Sequence, residues 1–365
     1  MDVGLAVIFQ GTDPNRTDKN VYSEEIRLGL LAEELGFKSI WGVEHHFTDY
    51  TMCPDVMQFL SYFAGKSDKL LLGSMVVVLP WHDPMRVAEE VSMLDNMSNG
   101  RVILGIGRGL GRVEFEGFGR DQNISREYFT ESAQMILEGL ESGTCEFNGA
   151  HVKQAKRDIR PAPFKTFKGR TYAAAVSPES SRIMAQLGVG ILIIPQKPWE
   201  MVENELADYR KIFREVNGHE APPPILGGWT FCDKDAGRAE EMAHKYIGGY
   251  YHSVIKHYEL AGNHLKDIKG YEAYASAQAI VNKNVDGAIE FFKGIQVYGT
   301  PEQCYARIKD FSARTGSGAY NGVFSYAGMP FADAEASMRL FAKEVMPEVN
   351  KLPGTPLMDL LQAAE

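Results

Sequence analysis

Short apolar runs alternate with longer segments of helical period along most of the chain. β-Branched and apolar residues cluster at 3–9, 39–43, 70–79, 102–106, 171–176, 190–194, 225–231 and 322–327, and most of these runs have the length of a buried strand. Apolar positions recur every three or four residues over 22–35, 55–66, 84–97, 125–140, 178–187, 198–216, 234–251 and 331–345, the period of helices with one buried face. Pro84, Pro178 and Pro198 fall where a first helical turn needs no N–H, and Gly36, Gly100 and Gly188 follow helices as breakers.

Strand-then-helix alternation builds parallel sheet. Eight such pairs without a Pro/Gly/Ser-rich linker predict an α/β fold of the (β/α)8 TIM-barrel type, one domain spanning 1–365. Two connections are too long for a simple crossover, one after the fourth strand and one after the seventh. They predict insertions near 112–170 and 248–298. Barrel active sites lie at the C-terminal ends of the strands, so extra chain there shapes or covers a pocket.

Composition narrows the function. The 365 residues carry a formal charge of −10 and are 44% hydrophobic, which is ordinary globular composition without the basic surface that nucleic acid or anionic lipid requires. No apolar run reaches the ~18 residues of a membrane helix, and the first twenty residues lack the order of a signal peptide. Cys53, Cys145, Cys232 and Cys304 stand far apart with no C-x-x-C pair. They fit a reducing cytoplasm better than a disulfide framework or a zinc site.

Candidate chemistry gathers at the predicted strand ends. The second strand runs into Glu44-His45-His46-Phe47, which sets ionisable groups at the mouth. Adjacent strand residues point to opposite faces and no H-E-x-x-H is present, so no metal is expected from this pair. The fourth strand ends in Gly105-Ile106-Gly107-Arg108-Gly109-Leu110-Gly111. Backbone can approach a phosphate closely in such a turn while an arginine pairs with it, although a tight turn with a solvent-facing Arg gives the same pattern. It is neither the dinucleotide fingerprint nor a P-loop. The fifth strand enters a helix through Val176-Ser177-Pro178-Glu179-Ser180-Ser181, an ordinary N-cap by itself but an anion site when paired with Arg108. Met75, Val76 and Trp81 would floor a planar ligand or simply pack the core.

As a set, Val43-Glu44-His45-His46-Phe47-Thr48, Leu79-Pro80, Asp95-x-Met97-Ser98-x-Gly100-Arg101 and Gly105-x-x-Arg108-Gly109-Leu110 resemble bacterial luciferase and its flavin-dependent monooxygenase relatives in order and spacing. The resemblance is close from Val3 to about Phe118, moderate over 171–255 and poor over the second insertion. It implies the same barrel and the use of reduced FMN (FMNH2) delivered by a separate NAD(P)H:flavin reductase. It further implies O2 chemistry through a C4a-hydroperoxyflavin on an apolar small molecule such as an aldehyde or ketone. By the same resemblance His45 is the acid/base, with Glu44 and His46 beside it. Arg108 grips the flavin phosphate with Ser177, Ser180 and the Val176–Ser177 backbone, and Met75–Val76 is a non-prolyl cis peptide under the ring. Gly107 stands where the luciferase α subunit carries its reactive cysteine, so light emission does not follow. A cytoplasmic homodimer is implied by analogy. Two other readings stay open: a deazaflavin-dependent hydride-transfer oxidoreductase, and a non-catalytic flavin-binding subunit.

Overall fold

The structure is a computed structural model and describes residues 1–174 and 177–357. Eight parallel strands close on themselves: β1 (Asp2–Val7), β2 (Ser39–Gly42), β3 (Leu71–Ser74), β4 (Val102–Gly107), β5 (Thr171–Ala174), β6 (Gly190–Ile193), β7 (Ile225–Cys232) and β8 (Ala319–Val323). Closure runs through Asp2 opposite Ala319 between β1 and β8, Ile225 opposite Ala319 between β7 and β8, and Ile225 opposite Leu192 between β7 and β6. The strands are buried along their lengths, as parallel strands covered on both sides must be. The expected (β/α)8 barrel is therefore the fold.

Side-chain size is matched across the barrel floor. A Cβ added to Gly73 would fall 2.2 Å from the Trp41 ring, so glycine on β3 makes room for the fully buried indole on β2. Beneath them Arg170, just before β5, forks onto Asp95 with Nη1 to Oδ1 at 2.6 Å and Nη2 to Oδ2 at 2.7 Å, both side chains essentially unexposed. Arg101 ties the same floor together by donating to the Leu70 carbonyl at 2.6 Å and the Ser98 carbonyl at 2.7 Å. The Asp95-to-Arg101 motif is thus framework.

Three expectations need correction. The third apolar run is broken: β3 stops at Ser74, the Met75–Val76 peptide is cis, and only Val77–Val78 resumes pairing, against β4. β8 begins at Ala319 rather than 322, because the buried Asn321 belongs to the ladder while Phe324 and Tyr326 are buried beyond it. The helix joining β7 to β8 is Pro301–Thr315, opened by a Thr300/Gln303 capping box. The expected segment at 234–251 lies within Ala236–Met242, a π turn and Gly248–His257, which belong to the second insertion. That insertion adds Glu272–Lys283 and Val285–Gly294. The first adds Arg112–Gly117 and a hairpin of Thr144–Asn148 with Lys153–Asp158. No helix among the described residues is long and apolar enough to cross a membrane.

Candidate active site

A cavity of about 290 Å³ opens at the C-terminal ends of the strands, and Glu44, His45, Met75, Val76, Arg108, Ser177 and Ser180 all border it. His46 does not. Its Nε2 lies 3.0 Å from Glu44 Oε1, and its ring packs edge-on against Trp81 and Phe118. Val176 lies outside the described residues.

Glu44 is tied to the barrel wall. Oε2 accepts from the Val78 N–H at 2.8 Å, and Oε1 faces His82 Nε2 at 2.7 Å as well as His46. Burial works to raise its carboxyl, but the bonds from both histidines, the His82 charge and the Val78 N–H outweigh this and hold it below the usual range. Burial likewise opposes charge on His82, yet Glu44 carries its imidazole above the ordinary value. His82, three residues beyond the broken third strand, was not among the expected site residues.

His45 is served by a different carboxylate. Glu114, in the short helix of the first insertion, sets Oε1 2.8 Å from His45 Nδ1 and accepts the His46 backbone N–H at 3.0 Å. Burial would raise Glu114, but the His45 charge and the bonds to His257 and His45 prevail and bring it down to about 2. On the other side of His45, the Tyr258 hydroxyl stands 3.3 Å from Nε2. His257 Nε2 faces Glu114 Oε2 at 3.5 Å, and its Nδ1 meets the Thr48 hydroxyl at 3.0 Å. Tyr50 stacks on the His257 ring at 4.4 Å. His45, Glu114 and His257 offer ligand atoms within 4.8 Å of one another, a set that could also hold a divalent metal. Neither Glu114 nor His257 was expected from the sequence, because each is contributed by an insertion and carries no local motif.

The opposite wall is cationic. Arg108 lies over the Tyr271 ring at 3.9 Å and donates Nη2 to the Gly270 carbonyl at 2.9 Å, while its buried Nη1 has no hydrogen-bond partner among the described residues. Arg126 donates to the same carbonyl at 2.9 Å and pairs with Glu179. Ser177 caps the helix Pro178–Leu187 by accepting the Ser180 N–H at 3.2 Å, and the two hydroxyls are 2.9 Å apart. An unpaired buried guanidinium nitrogen beside a second arginine and a hydroxyl-bearing helix start fits a phosphate group. Arg126 was also missed, since on a helix surface it reads as a solvated charge.

Between these poles the cavity wall is aromatic and aliphatic, with Trp81, Trp229, Tyr250, Tyr251 and Phe292 lining it. Trp229 packs on Tyr250 at 4.1 Å, and Phe292 stacks on Tyr251 at 4.6 Å.

A barrel mouth with two arginines on one wall, a histidine–carboxylate pair on another and apolar rings between them is laid out as the active site of a barrel enzyme. More narrowly, the chain matches the luciferase-like monooxygenases over residues 1–318 and belongs to that family. An alkanal monooxygenase alpha chain of Photorhabdus luminescens is 29% identical over 345 residues, which cover 92% of this chain and 94% of the relative. Among solved structures, the FMN complex of the oxygenating constituent of 3,6-diketocamphane monooxygenase from Pseudomonas putida, a type II Baeyer–Villiger enzyme, superposes with a TM-score of 0.73 at 18% identity. It covers 97% of this chain and 100% of that one. The coenzyme F420-dependent tetrahydromethanopterin reductase of Methanopyrus kandleri gives 0.65 at 19% identity, covering 96% and 100%.

Proposed function

We propose that this protein is the oxygenating component of a two-component flavin-dependent monooxygenase. It would take FMNH2 from a separate NAD(P)H:flavin reductase and use O2 to oxygenate an apolar small molecule such as an aldehyde or ketone. The observation that carries this reading is the convergence on one cavity of His45, the Met75–Val76 peptide and an arginine with an unpartnered buried nitrogen. Arg108, Arg126, Ser177 and Ser180 would hold the flavin phosphate, with Met75 and Val76 against its ring. Bound reduced flavin supplies the electrons that activate oxygen.

The chain's own groups then have distinct tasks. Tyr250, Tyr251, Trp229 and Phe292 present apolar surface that excludes water and receives an apolar substrate. His45 stands at the cavity with Nε2 beside the Tyr258 hydroxyl, where it can take up or return one proton as the substrate reacts. Glu44 holds His46 and His82 and so fixes the strand end that carries His45. A cytoplasmic homodimer completes the proposal by analogy with the family.

The structural likeness to an F420-dependent reductase favours one alternative, hydride transfer with a deazaflavin cofactor. Stopped-flow absorbance separates the two. When the anaerobic protein–FMNH2 complex meets oxygenated buffer, a flavin transient that outlives the oxidation of free FMNH2 is expected, and the right substrate should hasten its decay. Oxidation at the free-solution rate, together with tight binding of the deazaflavin, would replace the monooxygenase reading with the reductase one.

A further inference from the structure

The trio at the mouth contains a carboxylate that accepts from more than one direction and two imidazoles whose nitrogens all face polar atoms. Glu114 and His257 are brought together by Gly111: a Cβ there would lie 2.4 Å from Glu114 Oε2 and 3.1 Å from His257 Nε2, so only glycine leaves room for the approach. Glu114 Oε2 and His257 Nε2 are both buried, and neither has a hydrogen-bond partner among the described residues. They face each other at 3.5 Å. Two lone pairs opposed at that distance in a dry site would repel, so a proton or a cation must lie between them.

Proton placement can be followed atom by atom. The Tyr50 N–H lies 3.4 Å from the Thr48 Oγ1, which accepts it. The Thr48 hydroxyl proton is then free for His257 Nδ1 at 3.0 Å. With Nδ1 accepting, a neutral His257 carries its proton on Nε2, aimed at Glu114 Oε2. Glu114 Oε1 accepts the His46 N–H and needs a donor from His45 Nδ1. His45 Nε2 is left as the lone-pair atom, beside a Tyr258 phenol whose burial keeps it protonated and donating. With Glu114 ionised and both imidazoles neutral, this assignment leaves no lone pair of either ring facing the carboxylate.

We propose that His257 is a positioning residue for His45: with Thr48 and Glu114 it locks the catalytic imidazole in the Nδ1–H tautomer, with Nε2 unprotonated at the cavity. The proposal rests on the reading of His45 as the acid/base. It adds that the correct tautomer depends on contacts among β2's end, the first insertion and the second. The groups facing His257 are Glu114, His45, Tyr50, Tyr258 and Thr48, with Asp49 further off.

The test is the 15N chemical-shift signature of the histidine rings in the full-length protein labelled at histidine, with the His45 signals identified by their loss in His45→Gln. Wild type is expected to show His45 protonated at Nδ1 and bare at Nε2. His257→Phe keeps the ring stacked on Tyr50 but removes both nitrogens, and should let the Nε2–H tautomer of His45 grow severalfold while FMN affinity stays within about twofold. His257→Gln, which returns an N–H toward Glu114, should restore the wild-type pattern. If His257→Phe does not fold, Thr48→Val removes the hydroxyl that donates to His257 and accepts the Tyr50 N–H, keeps the imidazole in place, and should shift the tautomers in the same direction to a smaller extent.

A wild-type His45 protonated at Nε2, or a tautomer ratio unmoved in His257→Phe, would overturn the proposal. So would a stoichiometric divalent metal in the purified protein, because a metal on Nδ1 leaves no proton there. Failure of the parent reading looks different: the tautomer lock would be seen as described, yet His45→Gln would oxygenate substrate at the wild-type rate.

Discussion

Two of the places where the molecule buries charge are built differently. On the barrel floor, Asp95 and Arg170 meet in a closed bidentate pair whose remaining donors go to the Val102, Thr166 and Lys165 carbonyls. At the mouth, Glu114 is shared between two histidines and a backbone N–H, and one of its oxygens lacks a close partner. The floor pair is saturated and has nothing left to offer a ligand. The mouth keeps polar atoms in reserve next to a cavity, which is costly for folding and useful for chemistry. Between these two, the complete network is framework and the incomplete one borders the cavity.

The sharpest way to break this contrast is to damage the floor. Arg170→Met leaves Asp95 buried without its cation and should lower unfolding stability by about 3–5 kcal/mol. The loss is measured by urea denaturation at pH 7. The folded fraction should still bind FMN with wild-type affinity, since Arg170 lies at the opposite end of the barrel from the cavity. A large loss of FMN affinity in the folded protein would mean that floor and mouth are not separable.

Next in size is the mouth carboxylate. Glu114 titrates at about 2 in the fold against 4.5 when free. A depressed carboxyl stabilises the fold above its unfolded value and loses that contribution as pH falls through the folded one, so the window runs from about 4.5 down to about 2. His257, lowered by burial, acts in the same direction below 6.5, because the unfolded imidazole takes up the proton first. Glu114→Gln should remove roughly 3 kcal/mol of this acid dependence, as the shift implies. Melting temperatures across that range should be flatter in the variant than in wild type. An acid limb as steep as wild type's would show that other carboxylates carry it.

Smaller again is the anion grip. Arg108→Ala removes a charged donor and should weaken FMN binding by about 1.5–3 kcal/mol, roughly ten- to a hundredfold. Riboflavin, which has no phosphate, should lose almost nothing. Equal losses for both flavins would place Arg108 away from the phosphate. Titration by flavin fluorescence reads both.

These differences follow what a sequence can carry. Strands, most barrel helices and the residues of the strand-end motifs are written locally, so His45, Glu44, Met75, Val76, Arg108, Ser177 and Ser180 could be read directly and are found around one cavity. His46 was grouped with them because it is adjacent in sequence, but its ring turns to Glu44, Trp81 and Phe118 instead. Glu114, Arg126 and His257 were invisible for another reason. Each gains its role from a partner 69 to 209 positions away or from a shared carbonyl, as in the 144-residue separation between Arg126 and Gly270. No periodicity records such contacts. The Gly111 gap was in view as part of a glycine-dense turn, but its purpose appears only once the two insertions meet over it.

The smallest effect is expected from a contact that looks strong by distance alone. Arg112 forks onto Glu259 at 2.7 and 2.6 Å, bridging the two insertions as Glu114 and His257 do, with Arg112 two residues before Glu114 and Glu259 two after His257. Its side chain is 45% exposed and that of Glu259 is 41% exposed, so water and salt compete for both charges. Arg112→Ala should cost under about 1 kcal/mol of stability, less at high ionic strength, and leave the His45 tautomer and FMN affinity unchanged. If it instead matched Glu114→Gln in either readout, the two insertions would be coupled through their surface rather than through the buried carboxylate. Burial, not bond count, is what separates Arg112 from Glu114.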